Sequence, residues 1–166
     1  MTASRCLFML LMIALLTAGC LPTKKVATGK QDVLPPLDEY LPVTLKVHSF
    51  TRIGDFEGED FGIEAYIQAI DSWGEPTKAF GNFRFELYEF QSFETEKKGN
   101  MLDKWEVYIS QAEDNRSFWH HHTRSYHFML RTGQRIPIGT KVILRMIFDS
   151  PFSDRIITEK TFHSGD

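Results

Sequence analysis

The chain has 166 residues, 25% of them charged and 42% hydrophobic, with a formal net charge of -3, so it carries no basic footprint of the kind that nucleic-acid binding needs. Its two cysteines, Cys6 and Cys20, both fall in the first 20 residues. Everything beyond them lacks a thiol, which excludes disulfide staples, thiolate metal sites and cysteine nucleophiles from that part.

At the N-terminus Arg5 precedes an apolar run from Cys6 to Leu16, followed by Thr17-Ala18-Gly19-Cys20. A charged start, a short apolar stretch and small residues are the three parts of a secretory signal. Eleven apolar residues are too few for a membrane span, which takes roughly 20. The end of the segment resembles the bacterial lipobox, in which small residues at the two positions before a cysteine admit a diacylglyceryl group to its thiol. Ala18 and Gly19 fit those positions and Cys20 is the acceptor, although Thr17 stands where Leu is usual. The resemblance implies lipidation of Cys20, cleavage between Gly19 and Cys20, and a mature chain of 166 − 19 = 147 residues with a net charge of about -4 once Arg5 is lost. Two or more acyl chains, at about 0.8 kcal/mol per buried methylene, hold a domain at a bilayer. Leu21 follows Cys20 where an inner-membrane lipoprotein of the enterobacterial type has Asp. That favours the periplasmic face of the outer membrane.

Residues 21–41 contain three prolines and no sustained period. They read as a flexible tether with a root-mean-square span of about 25 Å. From residue 42 to residue 166 the pattern turns to a period of two, the mark of half-buried strands. Val43, Leu45 and Val47 alternate with polar neighbours. Ile63, Ala65, Ile67 and Ala69 do the same and end at the turn Asp71-Ser72-Trp73-Gly74-Glu75-Pro76. The next runs are Phe83, Phe85 and Leu87, with a phase slip at Glu89-Phe90, then Trp105, Val107 and Ile109, then Tyr126, Phe128 and Leu130. Val142, Leu144, Met146 and Phe148 follow on a strand apolar on both faces at Ile143 and Ile147, as a central strand would be. A last run covers residues 155–162. Seven runs without a helical period predict an all-β fold, an antiparallel β-sandwich.

In number and size the runs are similar to immunoglobulin or transthyretin sandwiches, and by that resemblance Tyr126 would serve as a tyrosine corner. The cysteine and tryptophan signature of immunoglobulin domains is absent, so strand order stays open.

Three groups of residues are candidates for binding. His120 and His122, in the run Trp119-His120-His121-His122, share a side if extended and could ligate zinc; adding His127 would require a turn between Thr123 and Ser125. Asp55, Glu57, Glu59 and Asp60 form an acidic loop whose oxygens suit calcium. Tyr66, Tyr88 and Tyr108 take the polar phase of their strands and, with Trp119, could form an exposed aromatic surface for a sugar or a protein. In each case an ordinary loop, edge or core role competes. No nucleophile elbow, zinc-protease helix or phosphate loop occurs, so no enzyme and no obligatory cofactor is expected.

The layout of signal, lipidated cysteine, tether and sandwich is similar to small lipoproteins of secretion systems, including the transthyretin-like outer-membrane lipoprotein of the type VI apparatus. It implies a non-catalytic interaction or structural module of the cell envelope. That module is bound to the membrane through Cys20 and to another envelope protein through the sandwich. The alternative is a lipoprotein that binds a carbohydrate, peptide or metal at the aromatic, histidine or acidic residues.

Overall fold

The computed structural model describes residues 37–56, 60–93 and 95–165. Gly19, Cys20, Glu57, Glu59 and nearly all of the tether lie outside the described residues.

Chain entry is a single 3-10 turn, Leu37–Tyr40, within the stretch assigned to the tether. It is docked on the turn that follows the third strand. There the Ser72 hydroxyl donates to the Glu39 carbonyl at 2.9 Å, the Thr77 hydroxyl to the Tyr40 carbonyl at 2.8 Å, and the rings of Tyr40 and Trp73 meet edge to face at 4.7 Å. That turn is built by Asp71, whose carboxylate accepts the backbone N–H groups of Trp73 and Glu75.

Ten strands follow among the described residues: β1 (Thr44–Val47), β2 (Arg52–Asp55), β3 (Phe61–Ile70), β4 (Pro76–Thr77), β5 (Gly81–Phe90), β6 (Lys98–Ile109), β7 (Trp119–His120), β8 (Ser125–Thr132), β9 (Lys141–Asp149) and β10 (Ile156–His163). They form two antiparallel sheets. In the first, β3 is flanked on one edge by β1 and β2 in succession, and on the other by β8 and the short β4, with β7 beyond β8. The second runs β10-β9-β5-β6. The fold class expected from the period of two is therefore the one observed. The strand count exceeds seven because short pieces such as β2, β4 and β7 bury too few side chains to leave a pattern in the sequence.

Between the sheets lie the inward residues of the alternating runs. Ile63, Ala65, Ile67, Phe83, Phe85, Leu87, Tyr126, Phe128, Val142, Leu144, Met146 and Phe148 are all at most 1% exposed. Phe83 joins both sheets, its ring centroid 4.6 Å from Phe148 and 5.3 Å from Phe128. Side chains of this size each contribute about 1.5–3 kcal/mol on burial, so this layer is the main stabilising element. Val43 departs from its expected phase: it precedes β1 and is exposed. The phase slip near Glu89 is a register shift between β5 and β6 around Tyr88. As its two apolar faces require, β9 is central, and its outward Ile143 and Ile147 are at most 5% exposed.

Between β6 and β7 the chain forms a helix, α1 (Ala112–Phe118), where no helical period is visible. Asp114 opens it by accepting the N–H groups of Ser110 and Gln111. Its one buried residue is Asn115, whose amide donates to the Ala79 carbonyl at 3.0 Å and whose oxygen accepts the Tyr126 hydroxyl. The same hydroxyl oxygen accepts the Ala79 N–H at 2.6 Å. Tyr126 thus ties β8 to α1 and to the segment that leads from β4 into β5. A tyrosine corner bonds a few residues upstream, whereas Tyr126 reaches back 47 residues. The knot is a different device, and burial raises the Tyr126 phenol to about 12.

Candidate functional site

Three parts of the surface carry chemistry. On the outer face of the first sheet, Glu64 and Tyr66 of β3 stand beside His127 of β8. The Glu64 carboxylate accepts Arg52 Nε at 2.7 Å and the Tyr66 hydroxyl at 3.0 Å, and lies 3.1 Å from His127 Nε2. Burial opposes its charge, but the bonds from Arg52 and Tyr66 and the positive charge of Arg52 prevail, so the carboxyl titrates below the usual range. Tyr66 is shifted upward by burial and by the adjacent Glu64. Its ring stacks on His127 at 4.4 Å and meets His120 edge to face at 5.8 Å.

The turn of residues 121–124, with Arg124 at φ 49, folds the histidine run back. It supplies the reversal that a three-histidine grouping requires: the His120 ring is 5.7 Å from His122 and 6.4 Å from His127, centre to centre. His120 Nδ1 is already bonded to the Thr123 hydroxyl at 2.9 Å. Among the described residues no group of three or more His, Cys, Asp or Glu is arranged to hold a metal ion. Phe50, Arg52, Glu64, Tyr66 and His120 line a shallow depression of about 490 Å³.

At one end of the sandwich, the two described carboxylates of the acidic loop are already engaged by arginines. Asp55 pairs with Arg135 at 2.8 Å and Asp60 with Arg131 at 2.7 Å. All four side chains are more than half exposed, so each pair is worth little on its own. Asp71 sits at the other end of β3 and takes no part.

The expected aromatic surface does not form as one patch. Tyr66 lies on the first sheet, Tyr88 and Tyr108 on the second, and Trp119 faces inward, its ring 5.2 Å from Tyr126. The Lys78 ammonium covers the Trp119 ring at 3.1 Å, and burial pushes that amine down to about 8 although the ring face beneath it favours the charge. What the tyrosines share is a partner. Tyr66, Tyr88 and Tyr108 each donate to the glutamate two residues before, Glu64, Glu86 and Glu106, at 3.0, 2.9 and 3.0 Å. Residues i and i+2 of a strand lie on one face, so the thrice-repeated Glu-x-Tyr was the sequence signal for these contacts.

The outer face of the second sheet is a charge lattice. Register places Lys104, Glu86, Arg145 and Glu159 in one row across β6, β5, β9 and β10, with Arg145 3.3 Å from Glu86 and 3.5 Å from Glu159. The next row holds Glu106 beside Arg84. Among the described residues the sheet ends at β6, twelve residues long and paired with β5 alone. At the far end of β6, Phe80, Tyr108, Pro151 and Phe152 line an apolar cup of about 620 Å³.

No protein-family model matches the chain, and no match to it is found among the curated proteins or the solved structures. What the fold defines is its class, an all-β sandwich of two antiparallel sheets.

Proposed function

We propose that this chain is a lipid-anchored module of the bacterial cell envelope, held at the membrane through Cys20 and spaced from it by the tether, which binds another protein by adding a strand to β6. The observation that carries this reading is the open edge itself. A strand with one neighbour leaves alternate N–H and C=O groups pointing outward along its length, a template for an incoming strand. The apolar cup beside Tyr108 offers such a strand a pocket for one large side chain.

A non-catalytic role is supported by the state of Glu64, the most enclosed carboxylate of the outer faces beside histidine. It already engages Arg52, Tyr66 and His127, so its lone pairs are committed to holding the patch together.

Two measurements test this. Mass spectrometry of the mature N-terminus is expected to find acylated Cys20, and Cys20→Ser is expected to move the chain from the membrane to the soluble fraction; an unmodified Cys20 would overturn the anchor. In cells, a photo-crosslinker at position 101, an exposed residue of β6, is expected to capture a protein, while one at position 66 is not.

One observation favours a second reading, a ligand-binding lipoprotein: His120 has the rings of His122, His127 and Tyr66 within 6.4 Å, and it lines one depression together with Tyr66. A rise of several degrees in the unfolding midpoint with zinc, abolished by His120→Ala, would put that reading first.

A further inference from the structure

We infer that the strand added to β6 is β6 of a second copy of this chain, the two pairing antiparallel about a two-fold axis at Trp105. This rests on the proposal that β6 is the binding edge, and it names the partner.

Charge complementarity selects the pairing. Two β6 strands related by a two-fold axis place residue i of one opposite residue j of the other, with i + j constant and both side chains on the same face of a continuous sheet. On the outer face the relevant side chains are Lys104 and Glu106. With the axis at Trp105, Lys104 of each copy faces Glu106 of the other, twice per dimer. Shifting the axis by one residue sets Lys104 against Lys104, or Glu106 against Glu106, and like charges directly opposite are destabilising. One register therefore attracts and its immediate neighbours repel, which is how a strand specifies a copy of itself rather than any strand.

The lattice behind the edge extends the selection. In the favoured register the row Glu159, Arg145, Glu86, Lys104 meets Glu106 and Arg84 of the second copy, so six charges alternate in sign across the junction. Among the described residues Lys104 makes no ion pair, and Glu106 accepts only the Tyr108 hydroxyl, so both charges are available to the second copy.

The other face of β6 has an apolar centre. Trp105 and Val107 are partly buried against the core, and Trp105 is fixed by its indole N–H, which donates to the Arg131 carbonyl at 2.6 Å. At the axis each Trp105 covers the other. One local bond must yield: the Asp103 carboxylate, which accepts the Lys104 N–H at 2.8 Å, gives up that donor to the incoming strand.

The test is sedimentation of the full mature chain in detergent, with Lys104→Glu, Glu106→Lys and the double exchange. The wild type is expected to be a dimer at about 100 µM. Each single exchange places like charges at both symmetry-related pairs and is expected to weaken the dimer about tenfold or more. The double exchange is expected to recover it to within a few-fold. Mixing the two single variants is expected to give a heterodimer, because the paired glutamates of one then face the paired lysines of the other. Far-UV circular dichroism checks that each variant remains folded. A monomeric wild type, a dimer indifferent to the exchanges, or a double exchange and mixture that both stay monomeric would overturn self-pairing. Crosslinks from position 101 to a different protein, with the wild type monomeric, would overturn self-pairing and leave the binding edge standing. A chain that is monomeric and gives no crosslink from position 101 would remove both.

Discussion

Strands β3 and β8 carry a tyrosine on each face of their shared ladder: Tyr126 lies opposite Ile67 and points into the core, while Tyr66 lies opposite His127 and points outward. Both hydroxyls are held by side chains, Tyr126 by Asn115 and Tyr66 by Glu64. The chemistry is alike and the surroundings are not. Tyr126 is wholly buried, and removing a partner there leaves polar atoms with no water to turn to, whereas the outer knot has solvent at its rim. A hydrogen bond is modest as a gain and costly as a loss when buried, so the inner knot should matter more to stability and the outer one more to how the surface answers pH.

The sharpest break in that comparison is Asn115→Ala, which strips both the Tyr126 hydroxyl and the Ala79 carbonyl of a partner. It is expected to lower the unfolding free energy by about 2 kcal/mol in denaturant titration. Tyr126→Phe should follow, with a signature in alkali. A phenol whose folded pKa is raised to about 12 contributes stability that is complete below its unfolded value and lost as pH rises through 12. The alkaline decline in stability should therefore be shallower in Tyr126→Phe than in the wild type.

Glu64→Gln comes next, with a loss of about 1 kcal/mol at neutral pH. A carboxyl held below its ordinary value adds stability that is complete above that value and is lost as pH falls from it through the lowered one. The variant should accordingly be less sensitive than the wild type between neutrality and acid. Smallest of all is Tyr108→Phe, whose hydroxyl is in solvent at the edge strand. Its unfolding midpoint should match the wild type, and a clear drop would mean that the outer Glu-x-Tyr pairs are structural after all.

The same contrast explains what could be read from the sequence. The core was legible because Ile63 to Ala69 and Phe83 to Leu87 alternate without interruption, with one face of each run simply the inside, while Val142 to Phe148 is apolar on both faces as a central strand is. Helix α1 was not, since Ala112–Phe118 buries only the polar Asn115 and its start is marked by Asp114 accepting two backbone N–H groups rather than by an apolar stripe. Strand β2 was missed for a similar reason: of Arg52–Asp55 only Ile53 is buried. For the candidate site, alternation correctly turned Tyr66, Tyr88 and Tyr108 outward, but it carries no information on which sheet receives a strand. Residues expected to share a surface were thereby divided between two. Trp119 was read as exposed because nothing in its run announced that β7 would lie along β8, with Trp119 opposite Tyr126.

The docking of the 3-10 turn on the Asp71 turn has a mechanical consequence. Whatever precedes residue 37 transmits its pull to the sandwich through Tyr40, whose ring abuts Trp73 and whose carbonyl accepts the Thr77 hydroxyl, before any load reaches β1. The clamp acts as a strain relief: a tug on the chain is spread over the β3–β4 turn first, and only when that contact gives way does force begin to peel an edge strand from the sheet.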